Sequence, residues 1–191
     1  MKFLEKYDVV LASNSPRRRE LLADMDINFR VEVIGDIEES YPDDLPAEKI
    51  AEYLSRLKAN AYGLSTNELL ITADTIVVLG DKVLGKPENE EQAREMLEML
   101  SGMTHQVITG VTVRTHDHTE TFSDITEVEF AHLTPDEIDY YVSNYHPTDK
   151  AGAYGIQEWI GCVGIRRING SFYNVMGLPV QKLYETLKTC F

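Results

Sequence analysis

The sequence predicts an α/β fold with mixed α+β character, in which a twisted mixed sheet is flanked by helices. In the first half of the chain, short apolar runs alternate with segments of helical spacing, which indicates strands and helices in turn. In the second half, long stretches with a period of two residues indicate antiparallel hairpins. The 191 residues are 43% hydrophobic, so we expect residues 1–191 to form a single domain with a buried core.

Local signals define the first two strands and the first helix. The apolar run at residues 8–12 is typical of a buried strand. Ser15 is placed to cap a helix over residues 17–25, because its hydroxyl can accept from a free N–H group and Pro16 suits the first turn. Apolar and polar residues alternate between 29 and 33, which predicts a second, half-buried strand.

An acidic loop and a second helix come next. Between residues 32 and 52 the charged side chains are all carboxylates except Lys49, so part of this span is expected to be a solvated loop. Pro46 opens a helix whose apolar positions recur with helical spacing, and Gly63 is placed to end it. Lys58 lies on this helix.

Asp74 interrupts sequence that is otherwise typical of a strand. Apolar runs at residues 69–73 and 75–79 flank it, and a turn at Gly80 leads to a short strand at 82–84. A lone carboxylate in such a run is expensive to bury, so it requires a cation, a hydrogen-bond network or a cleft. Asp74 could therefore serve catalysis, or it could end a strand and cap a turn.

The rest of the chain shows the same kinds of signal. Capping side chains and helix-ending glycines bound the helices, and alternating runs on either side of a turn mark the strands. In order, we expect a helix between Asn89 and Gly102, a hairpin over residues 105–130, a helix from Thr134, strands at residues 163–168 and 172–176, and a helix from Pro179.

The charge balance excludes broad classes of partner. The chain has 18 Lys and Arg residues against 32 Asp and Glu residues, a net charge of −14. Such a surface repels the phosphate backbone of nucleic acids, so we expect no stable nucleic-acid complex. No apolar stretch approaches the ~18–20 residues of a membrane helix, and the charged N-terminus lacks a signal-peptide core. We therefore expect no membrane contact and a cytoplasmic location.

The turn between the first strand and the first helix has the composition of an anion-binding site. Ser13 offers a hydroxyl, the helix start offers free N–H groups, and Arg17 and Arg18 add guanidinium groups. Cations at a helix N-terminus oppose the macrodipole, so an anionic ligand would offset that cost. The alternative is a simple helix cap followed by solvated arginines.

Two later segments also have side chains suited to a nucleotide. Lys86 stands between Gly85 and Pro87, where a restrained backbone could present its ammonium group to phosphate. Gln157 follows a run of small residues, and its amide could pair with a base edge as donor and acceptor together. The alternative for this second segment is an ordinary surface turn. The GxxxxGK[ST] and GxGxxG motifs are absent, which argues against P-loop and dinucleotide-binding sites.

Seven short motifs are spaced in order along nearly the whole chain. They are Leu11–Leu22, Ala73–Thr75, Gly85–Pro87, Leu100–Gly102, Thr109–Val111, Asp149–Gln157 and Gly177–Pro179. Together they resemble the motifs of the Maf family of nucleoside triphosphate pyrophosphatases, and the ordered combination is specific although each motif alone is not. The sequence differs from the family pattern at one place, where Glu158 follows Gln157 and family members often have glycine.

The resemblance implies a fold similar to the inosine triphosphatase folds, with two lobes around a central cleft for the nucleotide. It also implies a divalent metal, Mg²⁺ or Mn²⁺, and a homodimer. Asp74 matches the family's general base and, with Glu38, would hold the metal. Three positions match those linked to substrate choice in the dTTP/UTP subgroup, Arg17, Thr75 and Gln157. The expected phosphate ligands are Ser13, Arg18, Lys58 and Lys86.

The resulting hypothesis is a metal-dependent hydrolysis of dTTP and UTP between the α- and β-phosphates, which gives the nucleoside monophosphate and pyrophosphate. Two alternatives remain open. One is a house-cleaning pyrophosphatase for modified nucleotides, and the other is a non-enzymatic regulator of septum formation and cell division. A panel of triphosphates separates them, because a pure regulator releases no pyrophosphate and a house-cleaning enzyme prefers modified bases.

Overall fold

The computed structural model describes residues 2–35 and 37–191. The strands are β1 (Asp8–Leu11), β2 (Arg30–Val31), β3 (Glu68–Leu79), β4 (Lys82–Leu84), β5 (Thr104–Arg114), β6 (Thr119–Phe130) and β7 (Ile165–Asn169). The helices are α1 (Pro16–Asp24), α2 (Ala47–Asn60), α3 (Glu90–Leu100), α4 (Pro135–Tyr145), α5 (Trp159–Gly164), α6 (Phe172–Met176) and α7 (Val180–Cys190). In the described residues, no helix combines the length and the apolar character needed to span a membrane.

The strands form a mixed sheet in the order β2-β1-β3-β5-β6-β7, with β4 paired to β3. β1 pairs in parallel with both β2 and β3, so that Val10 is opposite Arg30 on one side and Leu70 on the other. β4 and β7 pair antiparallel with β3 and β6. This combination of parallel and antiparallel pairs, together with the helices, confirms the predicted fold class.

The chain divides into two compact units. The first contains the described residues of Met1–Asp74, together with Thr109–Asp124 and Gly177–Phe191. The second contains Thr75–Ile108 and Ile125–Met176. β3, β5 and β6 each contribute residues to both units. Asp74 and Thr75, two of the predicted site residues, are therefore chain neighbours that belong to different units.

In the first unit, helix α2 is fixed by polar contacts as well as by apolar packing. The hydroxyl of Thr72 on β3 donates to the backbone carbonyl of Ser55 on α2 at 2.7 Å, and Ser55 Oγ lies 2.9 Å from Thr112 Oγ1. Gly110 on β5 permits a close approach, because a Cβ there would lie 2.2 Å from the carbonyl carbon of Ala51. These contacts hold α2 beside β3, which positions the part of the helix that follows Ser55.

The second unit has a buried aromatic cluster around His105. The imidazole Nε2 lies 2.7 Å from the hydroxyl oxygen of Tyr154, and the rings of Phe130 and Tyr154 pack edge-on against it with centroids at 5.2 and 5.4 Å. Within the part of the chain that the structure describes, Nδ1 of His105 is buried and has no hydrogen-bond partner. Burial lowers the pKa of His105 from 6.5 to about 4, because the protonated ring cannot be hydrated there.

His105 is expected to make the folded protein less stable in acid. The unfolded chain protonates this side chain with its ordinary pKa, so the stabilisation is fully present above pH 6.5 and is lost as the pH falls toward 4. The shift corresponds to about 3 kcal/mol in the free energy of unfolding. Urea unfolding of the wild type and of His105→Gln at pH 4.5 and 7 measures it. Equal pH dependence in the two proteins would contradict the assignment.

Most of the helices and strands predicted from the sequence are confirmed. Ser15, Asn89 and Thr134 cap α1, α3 and α4, and Thr134 forms a complete capping box with Glu137. The long predicted hairpin is β5 and β6. The alternating residues 29–33 give only a two-residue strand, β2, and α2 ends ahead of Gly63.

The prediction is wrong near the C-terminus. The segment 163–168 is the end of α5 followed by β7, and the segment 172–176 is the helix α6 rather than a strand. Ser171 accounts for the second error, because its Oγ accepts from the backbone N–H of Asn174 at 3.2 Å. The side-chain amide of Asn174, which is fully buried, donates to the carbonyl of Val107 at 3.0 Å. A local cap and a long-range contact outweigh the strand propensity of aromatic and branched residues.

Candidate active site

The turn between β1 and α1 is built by two serines. Ser15 Oγ accepts from the backbone N–H of Arg18 at 3.4 Å, and Ser13 Oγ accepts from the backbone N–H of Ser15 at 3.2 Å. Ser13 is buried, while Ser15 is half-buried, and Pro16 occupies the first helical position. The sequence prediction of a capped helix start is confirmed. The hydroxyl groups and the N-terminal end of α1 lie together, which is the arrangement that favours an anion.

Arg18 is not a solvated arginine. Its Nε donates to the carbonyl of Gly177 at 2.9 Å, and its Nη1 donates to the carbonyl of Ala73 at 2.8 Å and to Ser13 Oγ at 3.4 Å. Burial lowers the pKa of the Arg18 guanidinium below its ordinary value, and the negative charge of Asp74 opposes that shift. Arg18 therefore ties three backbone segments of the first unit together and fixes the residue before Asp74. Its predicted role as a phosphate ligand stays a prediction.

Asp74 is a buried carboxylate with a charged partner. Its Oδ1 accepts from the ammonium group of Lys58 at 2.6 Å, and both side chains are largely buried, with exposed fractions of 12% and 15%. The Ser55–Thr72 contact explains why Lys58 and Asp74 lie close together. Lys58 follows Ser55 by about one helical turn, and Asp74 lies two residues beyond Thr72 on the same strand face. Of the cation, hydrogen-bond network or cleft that a carboxylate in an apolar run is expected to have, the structure supplies the cation.

Glu39 is the carboxylate of the acidic segment that the sequence reasoning missed. Its Oε2 lies 2.9 Å from Nζ of Lys58, so Lys58 contacts two carboxylates. The predicted metal ligand was its neighbour Glu38, which is exposed. Adjacent acidic residues in an irregular segment have no periodicity, so no sequence signal distinguishes the two. The role of Glu38 stays a prediction.

Of the remaining predicted site residues, Arg17 lies on α1 in the first unit, and the second unit contains the other three. Thr75 is half-exposed on β3, Lys86 is exposed beyond β4, and Gln157 is exposed just before α5. The Lys86 segment is joined to a tight turn, because the backbone N–H of Gly152 donates to the carbonyl of Gly85 at 3.0 Å. Gly152 has φ 67° and lies against Val77, where a Cβ would be 2.8 Å from a methyl carbon. Only glycine suits both the dihedral angle and the contact.

Carboxylate oxygens, which hard divalent cations prefer as ligands, lie in the first unit. Among the described residues, no group of three or more His, Cys, Asp or Glu side chains is placed to hold a metal. Mg²⁺ is usually held by one or two carboxylates together with substrate phosphates and water. Asp74, Glu38 and Glu39 supply oxygen donors of that kind in one unit of the chain.

Comparisons with known proteins agree with the predicted resemblance. The family model described as "Maf-like protein" matches residues 8–190. The chain belongs to the Maf-like family. A relative from Parabacteroides distasonis is 59% identical over 187 residues, and one from Phocaeicola vulgatus is 58% identical over 187 residues. Both alignments cover 97% of this Maf-like chain and 97% of the relative, and both relatives are named "dTTP/UTP pyrophosphatase".

A search of solved structures also finds similar chains. The Ham1 protein of Staphylococcus aureus has a TM-score of 0.49 and 18% sequence identity, and the match covers 93% of this Maf-like chain and 98% of that chain. A HAM1 protein from Coxiella burnetii has the same TM-score and 15% identity, with 95% and 98% of the two chains covered.

Proposed function

We propose that this Maf-like protein is a nucleoside triphosphate pyrophosphatase that hydrolyses dTTP and UTP to the nucleoside monophosphate and pyrophosphate. Relatives that are more than half identical over nearly their whole length are named for that activity, which supports the substrate class. The observation that carries the chemistry is the Asp74 carboxylate, held at 2.6 Å by Lys58 beside the capped start of α1 in the first unit. A fixed carboxylate next to cationic and N–H donors suits water attack on a phosphate anhydride.

In this mechanism Asp74 accepts a proton from the attacking water. The water oxygen forms a bond to the α-phosphorus while the bond to the bridging oxygen of the β-phosphate breaks, and pyrophosphate leaves. Lys58 keeps the carboxylate oriented and offsets negative charge on the phosphates. Ser13, Arg18 and Lys86 are proposed as further phosphate ligands, and Arg17, Thr75 and Gln157 as residues that determine substrate choice. No covalent intermediate is required.

A divalent metal, Mg²⁺ or Mn²⁺, is the proposed cofactor. Asp74 and Glu38 would hold it, and Glu39 offers a further carboxylate beside Lys58. When bound, such an ion neutralises charge on the phosphate oxygens. Turnover in EDTA, compared with turnover after addition of either ion, measures the requirement. Full activity in EDTA would contradict it.

A panel of triphosphates tests the proposed function against its alternatives. Pyrophosphate release is measured with dTTP, UTP, the other canonical triphosphates and modified pyrimidine triphosphates. The proposal predicts the highest kcat/KM for dTTP and UTP. Preference for modified nucleotides would favour a house-cleaning enzyme, and no release from any of them would favour a non-enzymatic role in septum formation.

Gln157→Ala is expected to lose base preference more than phosphate binding. The amide can match the carbonyl and N–H edge of thymine or uracil, whereas the amino group and unprotonated ring nitrogen of cytosine present the opposite donor and acceptor pattern. We expect the ratio of kcat/KM for UTP over CTP to fall roughly tenfold or more. Gln181→Ala, an exposed glutamine on α7, is the matched control. An unchanged ratio in Gln157→Ala would refute the role.

Three further proposals concern the whole protein. We propose that residues 1–191 act as a single catalytic domain, that two copies form a homodimer, and that the protein works in the cytoplasm. Light scattering on the purified protein measures the mass, and a monomer at assay concentrations would overturn the second proposal.

A further inference from the structure

The turn that contains Gln157 is fastened at both ends. The backbone N–H of Gly155 donates to the hydroxyl oxygen of Tyr141 at 3.0 Å, and the carbonyl of Gly155 accepts from the backbone N–H of Glu158 at 3.0 Å. The side chain of Ile156 is buried, whereas Gln157 is exposed. Gly161 on α5 allows the turn to approach closely, because a Cβ there would lie 1.7 Å from the carbonyl oxygen of Ile156. Within residues 155–158 of this turn, Gln157 is exposed, Glu158 is half-buried and the other two residues are buried.

The Glu158 carboxylate contacts the side chains of Tyr141 and Lys150 beside this turn. One oxygen accepts a short hydrogen bond from the hydroxyl of Tyr141, and the other lies 3.2 Å from the ammonium group of Lys150. The carboxylate also packs on the backbone of Gly155, where a Cβ would be 2.8 Å from its carboxyl carbon. Tyr141 thus bonds to both ends of the turn, and its hydroxyl couples the Glu158 side chain to the Gly155 backbone.

Burial makes this network rigid. The Tyr141 side chain is fully buried, and the side chains of Lys150 and Glu158 are 8% and 19% exposed. Burial raises the pKa of Tyr141, and its bond to Glu158 adds to the shift, so the phenol stays protonated and keeps donating. A buried ammonium requires a partner, and Lys150 has Asp149 at 2.7 Å in addition to Glu158. A network with these partners favours one conformation of the turn.

We infer that Glu158 is a positioning residue for base selection, which it performs by holding the turn that presents Gln157. This inference rests on the proposed function. In this role Glu158 acts through Gln157 and not directly on the substrate. Its carboxylate fixes the backbone on either side of Gln157 through Tyr141 and Lys150, so the amide meets the base edge without an ordering cost at the moment of binding.

The test compares kcat/KM for UTP and CTP in the wild type, Glu158→Ala, Glu158→Gln, Gln157→Ala and the double variant Gln157→Ala/Glu158→Ala. We expect Glu158→Ala to lower the UTP-to-CTP ratio about tenfold, mainly through KM for UTP. Glu158→Gln should restore most of the ratio, because its amide oxygen still accepts from Tyr141. The double variant should be no less selective than Gln157→Ala, since both changes remove the same interaction.

A role in stability alone predicts a different pattern. Glu137→Ala, which removes the capping carboxylate of α4, is the matched control and should lower the melting temperature without changing the ratio. An unchanged ratio in Glu158→Ala, or a double variant in which the two losses multiply, would overturn the inference. If Glu158→Ala does not fold, Tyr141→Phe removes a single hydroxyl and should lower the ratio in the same direction. An unchanged ratio in that variant would also overturn it.

A second readout separates this inference from the proposed function. Amide hydrogen exchange at residues 155–158 is expected to accelerate in Glu158→Ala and to stay at the wild-type rate in Glu137→Ala. Unchanged exchange in Glu158→Ala would overturn the positioning role. A wild type that releases no pyrophosphate from any triphosphate would instead remove the proposed function, whatever the exchange result.

Discussion

Asp74→Asn should lower kcat/KM for dTTP by about 10³-fold, because the amide cannot accept the proton of the attacking water. The substitution keeps the size of the side chain and one oxygen that can accept from Lys58. It removes the charge that pairs with the Lys58 ammonium group at 2.6 Å. Steady-state pyrophosphate release with dTTP and UTP measures the effect, and most of the loss should be in kcat.

Loss of folding must be separated from loss of chemistry in this variant. Removal of one charge from a mostly buried pair should lower the free energy of unfolding by about 1–3 kcal/mol, with Glu39 left to compensate Lys58. Urea unfolding measures that cost. Asp81→Asn, in the exposed turn between β3 and β4, is the control and should retain wild-type turnover. Turnover by a folded Asp74→Asn protein at the wild-type rate would eliminate Asp74 as the general base.

Lys58→Met is expected to reduce kcat/KM about 10²-fold, the second largest effect. The methionine keeps the apolar stem but removes the ammonium group that contacts both Asp74 and Glu39. Two carboxylates then lose the cation that lies between them, and the phosphates lose one positive charge. The same pyrophosphate assay measures the loss for dTTP and UTP.

The control for this variant lies on the same helix. Lys49 on α2 is 56% exposed and pairs with Glu52 at 3.1 Å, so Lys49→Met removes an equal charge from the solvent-facing side. Exposed pairs of this kind contribute little, and Lys49→Met should keep nearly all of the activity. If the two lysine variants lose similar amounts of activity, the effect is general electrostatics and Lys58 has no specific role.

Much of the fold follows from local signals in the sequence. Caps at Ser15, Asn89 and Thr134 and the turn after β3 all appear where the sequence predicts them, because each depends on side chains within a few residues of one another. The sequence does not predict the helix α6, because this helix depends on the Ser171 cap and on a buried contact of Asn174 with β5. Long-range contacts of that kind are invisible to periodicity.

In the candidate site, too, the sequence predicts some features and does not show the long-range contacts. A carboxylate inside an apolar strand predicts a cation, a hydrogen-bond network or a cleft at Asp74, and the structure shows the first of these in Lys58. The sequence does not indicate that Arg18 donates to backbone carbonyls, since a guanidinium that binds phosphate and one that binds carbonyl oxygens look alike in sequence. The sequence also does not distinguish Glu39 from Glu38 as the partner of Lys58. It does not indicate that Glu158 holds the turn that contains Gln157.

The products of dTTP hydrolysis test the central proposal most directly. Purified protein is incubated with dTTP and Mg²⁺, and phosphorus NMR follows the products. We expect dTMP and pyrophosphate in equal amounts, with no dTDP, and nearly complete loss of both products in Asp74→Asn. Formation of dTDP and inorganic phosphate, or no product at all, would contradict it.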